Sequence, residues 1–121
     1  DSPSSPIGVL REMRVAVTRK TRSGKYVLGH DEAITVDDAI KAVTINAAWQ
    51  IFEEDTRGSL KVGKLADFTI LSRNLKKIPP EEWKSVEIIG TYLSGEPAVN
   101  EGWSWRKINL MIQTIWGMIF D

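Results

Sequence analysis

Residues 34–71 change from helical to strand periodicity, and this change constrains the fold more than any other feature of the sequence. Thr35 followed by Asp38 is a helix-start pattern, because the hydroxyl accepts from an exposed amide and the acid lies at the positive helix end. Apolar residues then recur at the three-and-four spacing of one helix face, at Val36, Ala39, Ile40 and Val43. The pattern predicts a helix from about Val36 whose apolar face packs against another element.

A second short helix is predicted over residues 47–52, with Asn46 as its cap. Beyond it, strands are predicted over residues 58–60 and 66–71, joined by a turn at Gly63, and residues 66–71 are rich in strand formers. Because glycine takes positive φ without strain, the glycines of this segment indicate a hairpin or a tight strand connection. Two helices followed by strands are therefore expected.

The flanking sequence predicts further elements. Apolar residues at helical spacing predict a helix over residues 7–18. Residues 78–83 indicate an X-Pro turn that leads into one helical turn with acids at its start. Strands are predicted over residues 85–93 and 97–99, joined by a turn at Ser94-Gly95.

The chain carries two motifs, D-D-A-I-K-A-V-T-I-N-A-A over residues 37–48 and G-S-L-K-V-G-K-L-A-D-F-T-I-L over residues 58–71. Their order and spacing resemble the carboxyl-terminal part of the amidohydrolase superfamily. The similarity is to the amidohydrolase 3 branch of metal-dependent TIM-barrel hydrolases, which includes N-substituted formamide deformylase. It covers roughly residues 1–99. Ala47 departs from the proline of many relatives, a minor change because proline is only favoured at that position.

The resemblance implies an α/β fold class and a C-terminal fragment, because a complete (β/α)8 barrel needs about 250 residues and this chain has 121. Residues 1–54 would be the last barrel loop and terminal helices, and residues 55–100 part of a small composite β-sandwich. Residues 101–121 form an apolar tail that departs from the family. The tail is too short and interrupted for a membrane span, which needs about 20 apolar residues. An interfacial or partner-docking helix and a non-native extension both remain open for it.

Composition excludes some classes of function. Lysine plus arginine equals aspartate plus glutamate at 16 each, so no net field attracts nucleic acid or anionic lipid. The sequence has no cysteine, which excludes disulfides and thiolate metal sites. No secretory signal opens the sequence, and a cytoplasmic location is the default expectation.

Asp1 is the candidate catalytic residue. Read from composition alone, it is a solvated charge before the proline-rich loop of residues 2–6. In the family, D-(S/A)-P follows the eighth barrel strand, and that aspartate binds metal and takes a proton from the attacking water. The resemblance therefore implies that Asp1 is both catalytic and a metal ligand. A divalent metal, zinc foremost, is expected in the complete protein. This chain lacks the family's metal-binding histidines and the lysine that is often carboxylated, so tight metal binding by the chain alone is not expected.

Other candidate sites have structural interpretations. Four cations in residues 19–25 could contact a phosphate backbone, but a solvated loop is favoured because no interleaved aromatics accompany them. His30 is interpreted as a loop residue, since neither H-x-H nor H-E-x-x-H is present. Residues 58–64 match G-x-x-x-x-G-K but precede a strand, which excludes a phosphate loop. Asp67 is interpreted as a structural carboxylate at a strand start, and Trp49 as a core or interface residue.

The implied function is metal-dependent hydrolysis of a non-peptide carbon–nitrogen bond of the amide type by the complete protein, acting on a small molecule. The isolated chain is expected to be inactive. The alternative is a non-catalytic α/β interaction module that self-associates through an unpaired sheet edge and the apolar tail. Nucleic-acid binding through residues 19–25 is the weakest hypothesis.

Overall fold

The computed structural model describes residues 8–98 and 112, and these combine helices with an antiparallel sheet. The α-helices are α1 (Val9–Thr18), α2 (Val36–Ala42) and α3 (Ile45–Gln50), and two 3₁₀ helices span His30–Glu32 and Pro80–Ser85. The strands are β1 (Phe68–Leu71), β2 (Ile88–Leu93) and β3 (Glu96–Pro97). The mixed helix and sheet content agrees with the α/β prediction. No helix within the described part of the chain is long and apolar enough to cross a membrane.

The start of α2 is formed by the residues that the sequence indicated. Thr35 is the N-cap, and its Oγ1 accepts a hydrogen bond of 3.1 Å from the backbone N–H of Asp38. The same hydroxyl donates to Asp38 Oδ2 over 2.7 Å. Two acids in the first turn add a favourable interaction with the helix dipole. The helix predicted from Val36 is therefore confirmed.

The predicted cap of α3 is wrong. Asn46 lies inside the first turn of α3, because the helix begins at Ile45, two residues before the predicted start, and Thr44 occupies the N-cap position. The Thr44 carbonyl accepts from the N–H of Ala48 at 3.0 Å, which is the first bond of the helix. The Thr44 hydroxyl is not free to cap α3, since it donates to the Ile40 carbonyl of α2 over 2.7 Å. The two helices thus meet at a corner with no side-chain cap.

The sheet is an antiparallel meander in the order β1-β2-β3. Phe68 pairs with Tyr92, and their rings stack with centroids 4.8 Å apart. The register shifts between Ile70 and Leu71, which indicates a bulge at the end of β1. A strand within residues 85–93 and a short returning strand are confirmed, with different bounds: the return is Glu96–Pro97, and residue 99 of the predicted return lies outside the described residues. Residues 85–87 instead form the end of the second 3₁₀ helix and a linker to β2.

The hairpin expected between residues 58–60 and 66–71 is wrong. Residues 51–67 form turns and irregular backbone, and β1 pairs with β2 instead. Gly58 and Gly63 do adopt positive φ, of 84° and 92°, as expected of glycines at sharp turns. Both glycines serve a long connection from α3 to the sheet.

The main core lies between α1, α2 and the second 3₁₀ helix. Its buried members are Met13, Ala39, Leu75 and Trp83. Trp83 is only 2% exposed, so the 3₁₀ helix that follows the Pro79-Pro80 turn anchors the sheet half of the chain to α1. The core therefore draws side chains from both sides of the boundary predicted at residue 54. The division into barrel and sandwich parts stays a prediction.

Candidate functional site

The predicted catalytic and metal-binding residue, Asp1, lies outside the described residues. The first residue described is Gly8, which is the N-cap of α1 with an extended φ of −170°. The prediction for Asp1 therefore stays a prediction, and the site can be approached only through the residues that follow it.

His30 does not join a metal-binding cluster in residues 8–98. It begins a one-turn 3₁₀ helix rather than an irregular loop, and its side chain is exposed. Its neighbour Glu32 is engaged elsewhere, because Glu32 Oε2 accepts from Arg19 Nη2 at 2.7 Å. No group of three or more histidine, aspartate or glutamate side chains within the described residues could hold a metal ion. These residues alone do not fit a catalytic metal.

Two of the four cations in residues 19–25 are paired with acids. Arg19 pairs with Glu32 and also donates through Nε to the Leu28 carbonyl at 2.9 Å. Lys20 Nζ lies 2.9 Å from Glu81 Oε1 and, by donating this hydrogen bond, lowers the pKa of the Glu81 carboxyl. Since half of the cluster binds its own chain, the part left to attract a phosphate backbone is small.

The second family motif connects α3 to the sheet through close backbone packing. A β-carbon at Gly58 would lie 2.7 Å from Ala48 Cβ, closer than real β-carbons approach another atom, and 3.0 Å from Ile45 Cα, which is tighter than most real contacts. The loop can therefore lie directly on α3 only because residue 58 is glycine. Lys64 then fixes the loop from the other side, donating through Nζ to the carbonyls of Glu54 and Arg57.

Asp67 is a structural carboxylate, as its position before β1 indicated. Its Oδ1 accepts from the Ser94 N–H at 2.8 Å, in the turn between β2 and β3. Its Oδ2 lies 3.6 Å from Arg57 Nη1. The adjacent Gly95 N–H donates to the Ala66 carbonyl at 3.0 Å. The motif G-S-x-x-x-G-K-x-A-D thus ties α3, the loop and the far turn of the sheet together.

Sequence reasoning missed the roles of Arg57 and Lys64. Arg57 Nε lies 3.2 Å from Glu53 Oε2, yet the orientation does not make this contact a hydrogen bond, so it is an ion pair only. No local pattern indicates either role, because the partners of Arg57 and Lys64 lie within the irregular segment 51–67. Trp49 was expected in a core or an interface, and the core alternative is wrong since the side chain is 63% exposed.

Comparison with known proteins shows which family the two sequence motifs belong to. The model of the amidohydrolase family matches residues 1–99, which include both motifs. The chain belongs to the amidohydrolase family. It is 32% identical over 95 residues to N-substituted formamide deformylase of Arthrobacter pascens, a match that covers 78% of this chain and 17% of that protein.

Two further relatives match a similar share of this family member. It is 33% identical over 98 residues to the protein named "Putative amidohydrolase YtcJ" of Bacillus subtilis (strain 168), covering 79% of the chain and 18% of the relative. It is 35% identical over 102 residues to Protein LONG AFTER FAR-RED 3 of Arabidopsis thaliana, covering 79% and 16%. The chain thus spans less than a fifth of the length of these relatives. No solved structure matches it.

Proposed function

We propose that this chain supplies the carboxyl-terminal part of a metal-dependent hydrolase that cleaves a non-peptide carbon–nitrogen bond of the amide type. The observation that carries the proposal is the family match over residues 1–99. A relative named N-substituted formamide deformylase supports the choice of bond. Membership of the amidohydrolase family does not depend on that relative, because the family model alone matches most of the chain.

Within this proposal the chain has two tasks. Residues 8–98 provide a helical and sheet support whose motif residues are structural. Gly58 allows the loop to lie against α3, and Lys64 and Asp67 form hydrogen bonds with the chain's own backbone. Asp1 supplies one carboxylate to a divalent metal site whose other ligands come from the remaining four-fifths of a family-length protein. The amide-type substrate is a ligand of that complete protein.

The experiment uses the longer polypeptide that carries this chain. Its purified form is assayed for amine release from an N-substituted formamide, and its metal content is measured alongside. Asp1→Asn should reduce both the turnover and the bound metal, whereas Asp55→Asn, at an exposed acid in the connection between α3 and the sheet, should change neither. Full turnover and full metal content in Asp1→Asn would refute the assignment of Asp1.

The isolated chain of 121 residues is proposed to be inactive and to bind zinc weakly. Calorimetric titration with zinc tests the second part directly. Weak binding is expected because one carboxylate cannot provide the three or more ligands of a tight zinc site. Heat that fits a submicromolar dissociation constant and is lost in Asp1→Asn would overturn this part of the proposal.

The alternative function is a non-catalytic interaction module. The observation in its favour is the number of large apolar side chains exposed in the described part of the chain, among them Trp49, Phe52, Leu60 and Val62. Sedimentation equilibrium separates the two proposals. Self-association of the 121-residue chain without metal-dependent turnover in the longer polypeptide would favour the module.

A further inference from the structure

Residues 72–87 form a closed loop between β1 and β2, which we call the anchor loop. The backbone N–H of Ser72 donates to the Glu87 carbonyl at 2.9 Å, and the N–H of Glu87 donates to Ser72 Oγ at 2.9 Å. Directly beyond these bonds, Leu71 of β1 pairs with Ile88 of β2. The anchor loop therefore leaves the sheet and returns to it at one point, as a compact loop with closed ends does.

The anchor loop places its largest apolar side chains among the helices. Leu75 and Trp83 are both buried in the main core. Their buried neighbours in that core are Met13 of α1 and Ala39 of α2. The helices are therefore packed on side chains that come from between two strands of the sheet.

Two ion pairs join the anchor loop to the helical part at its surface. Lys76 Nζ lies 2.6 Å from Asp37 Oδ1 of α2. Glu81 Oε1 lies 2.9 Å from Nζ of Lys20, just after the end of α1. Both pairs are exposed, so each contributes little to the free energy of unfolding. They show that the loop contacts both helical segments at its edges as well as through the core.

The helices and the sheet are each too short to be stable without this contact. α1 spans 10 residues and α2 spans 7, whereas isolated helices shorter than about 12–15 residues are marginal in water. The three strands span 4, 6 and 2 residues, and a small sheet without a packed face is marginal as well. Each part therefore depends on the core that the anchor loop completes.

We propose that the anchor loop makes α1, α2 and the sheet one cooperative unit, which opens and closes as a whole. The boundary predicted at residue 54 then lies inside a single unit rather than between two parts that move independently. This inference goes beyond the proposed hydrolase function, because it concerns how the described residues move together and holds equally for an interaction module.

Hydrogen exchange of the 121-residue chain, followed by mass spectrometry, tests the proposal in Trp83→Leu. In the wild type, backbone amides of α1 and β2 should be protected. Loss of the buried indole should speed their exchange by on the order of tenfold to a hundredfold, and by the same factor in α1 as in β2. The matched control is Trp49→Leu, the same substitution at a side chain of α3 that is 63% exposed. Its exchange in both elements should match the wild type.

Three results would overturn the proposal. Faster exchange in α1 alone or in β2 alone would show two units that open separately. Unchanged exchange in Trp83→Leu would show that the anchor loop does not hold the two parts together. Unprotected amides in the wild type would show that the unit does not form in this chain.

If Trp83→Leu does not fold, exchange of the wild type in increasing urea carries the same comparison. The slowest amides of α1 and β2 should then reach one common free energy of opening, because both are exposed by the same event. Two separate values would contradict the proposal.

Discussion

Gly58→Ala tests the close packing of the irregular connection, residues 51–67, on α3. The added β-carbon would lie 2.7 Å from Ala48 Cβ, 3.0 Å from Ile45 Cα and 3.2 Å from the Thr44 carbonyl oxygen. Two of these three atoms belong to backbone, so a side-chain rotation cannot make room. The substitution therefore requires the loop to move away from α3.

The expected cost has two sources. A β-carbon at the positive φ of 84° costs about 1–2 kcal/mol. Overpacking at a closely packed contact costs a further 1–3 kcal/mol or so, about the range seen when methylenes are forced into cores. Together the free energy of unfolding should fall by about 2–5 kcal/mol, a large part of the stability of a small domain.

Gly63→Ala is the matched control. Residue 63 has a positive φ of 92°, but a β-carbon there meets nothing within 4 Å. This variant carries only the backbone cost, about 1–2 kcal/mol. Urea unfolding, followed by circular dichroism, measures both variants. Equal losses in Gly58→Ala and Gly63→Ala would refute the close approach of the loop to α3.

Three further predictions concern single contacts. Thr35→Ala should lower the free energy of unfolding by about 1 kcal/mol through loss of the α2 cap, and an unchanged urea midpoint would contradict it. Asp67→Ala should cost about 1 kcal/mol by removing the acceptor of the Ser94 N–H, whereas Asp67→Asn, which keeps an oxygen acceptor, should lose less; equal midpoints for the two would argue against that bond. The hydrogen bond from Lys76 lowers the pKa of Asp37 in the folded chain. The Asp37–Lys76 pair therefore adds to the free energy of unfolding above the pKa of Asp37 in the unfolded chain, and this stabilisation is lost as pH falls through the pKa in the folded chain. The melting temperature of Asp37→Asn should therefore be lower than that of the wild type at neutral pH and equal to it at about pH 2; a constant difference would refute this reading.

Local rules predicted the parts of the fold that depend on neighbours in sequence. The α2 cap follows from a hydroxyl three residues before an acid, and the second 3₁₀ helix follows from the Pro79-Pro80 turn. Each needs only contacts within one helical turn, so a single sequence is enough to indicate them.

The predictions are wrong where tertiary contacts, rather than neighbours in sequence, determine the local structure. A strand is predicted over residues 58–60, but Gly58 lies against α3 and Lys64 donates to the carbonyls of Glu54 and Arg57, so the segment does not pair with β1. The role of Trp83 depends on α1, about seventy residues earlier in sequence, which no local pattern can indicate. For the candidate site, the two motifs led to the family, whereas Asp1 lies outside the described residues and its role stays a prediction.

The most direct test of the central claim is the distance from the Asp1 carboxylate to a bound metal in a crystal structure of the longer polypeptide that carries this chain. The account predicts one carboxylate oxygen within about 2.0–2.2 Å of the ion, as for a zinc ligand. A metal held entirely by other residues, with Asp1 in solvent, would contradict it.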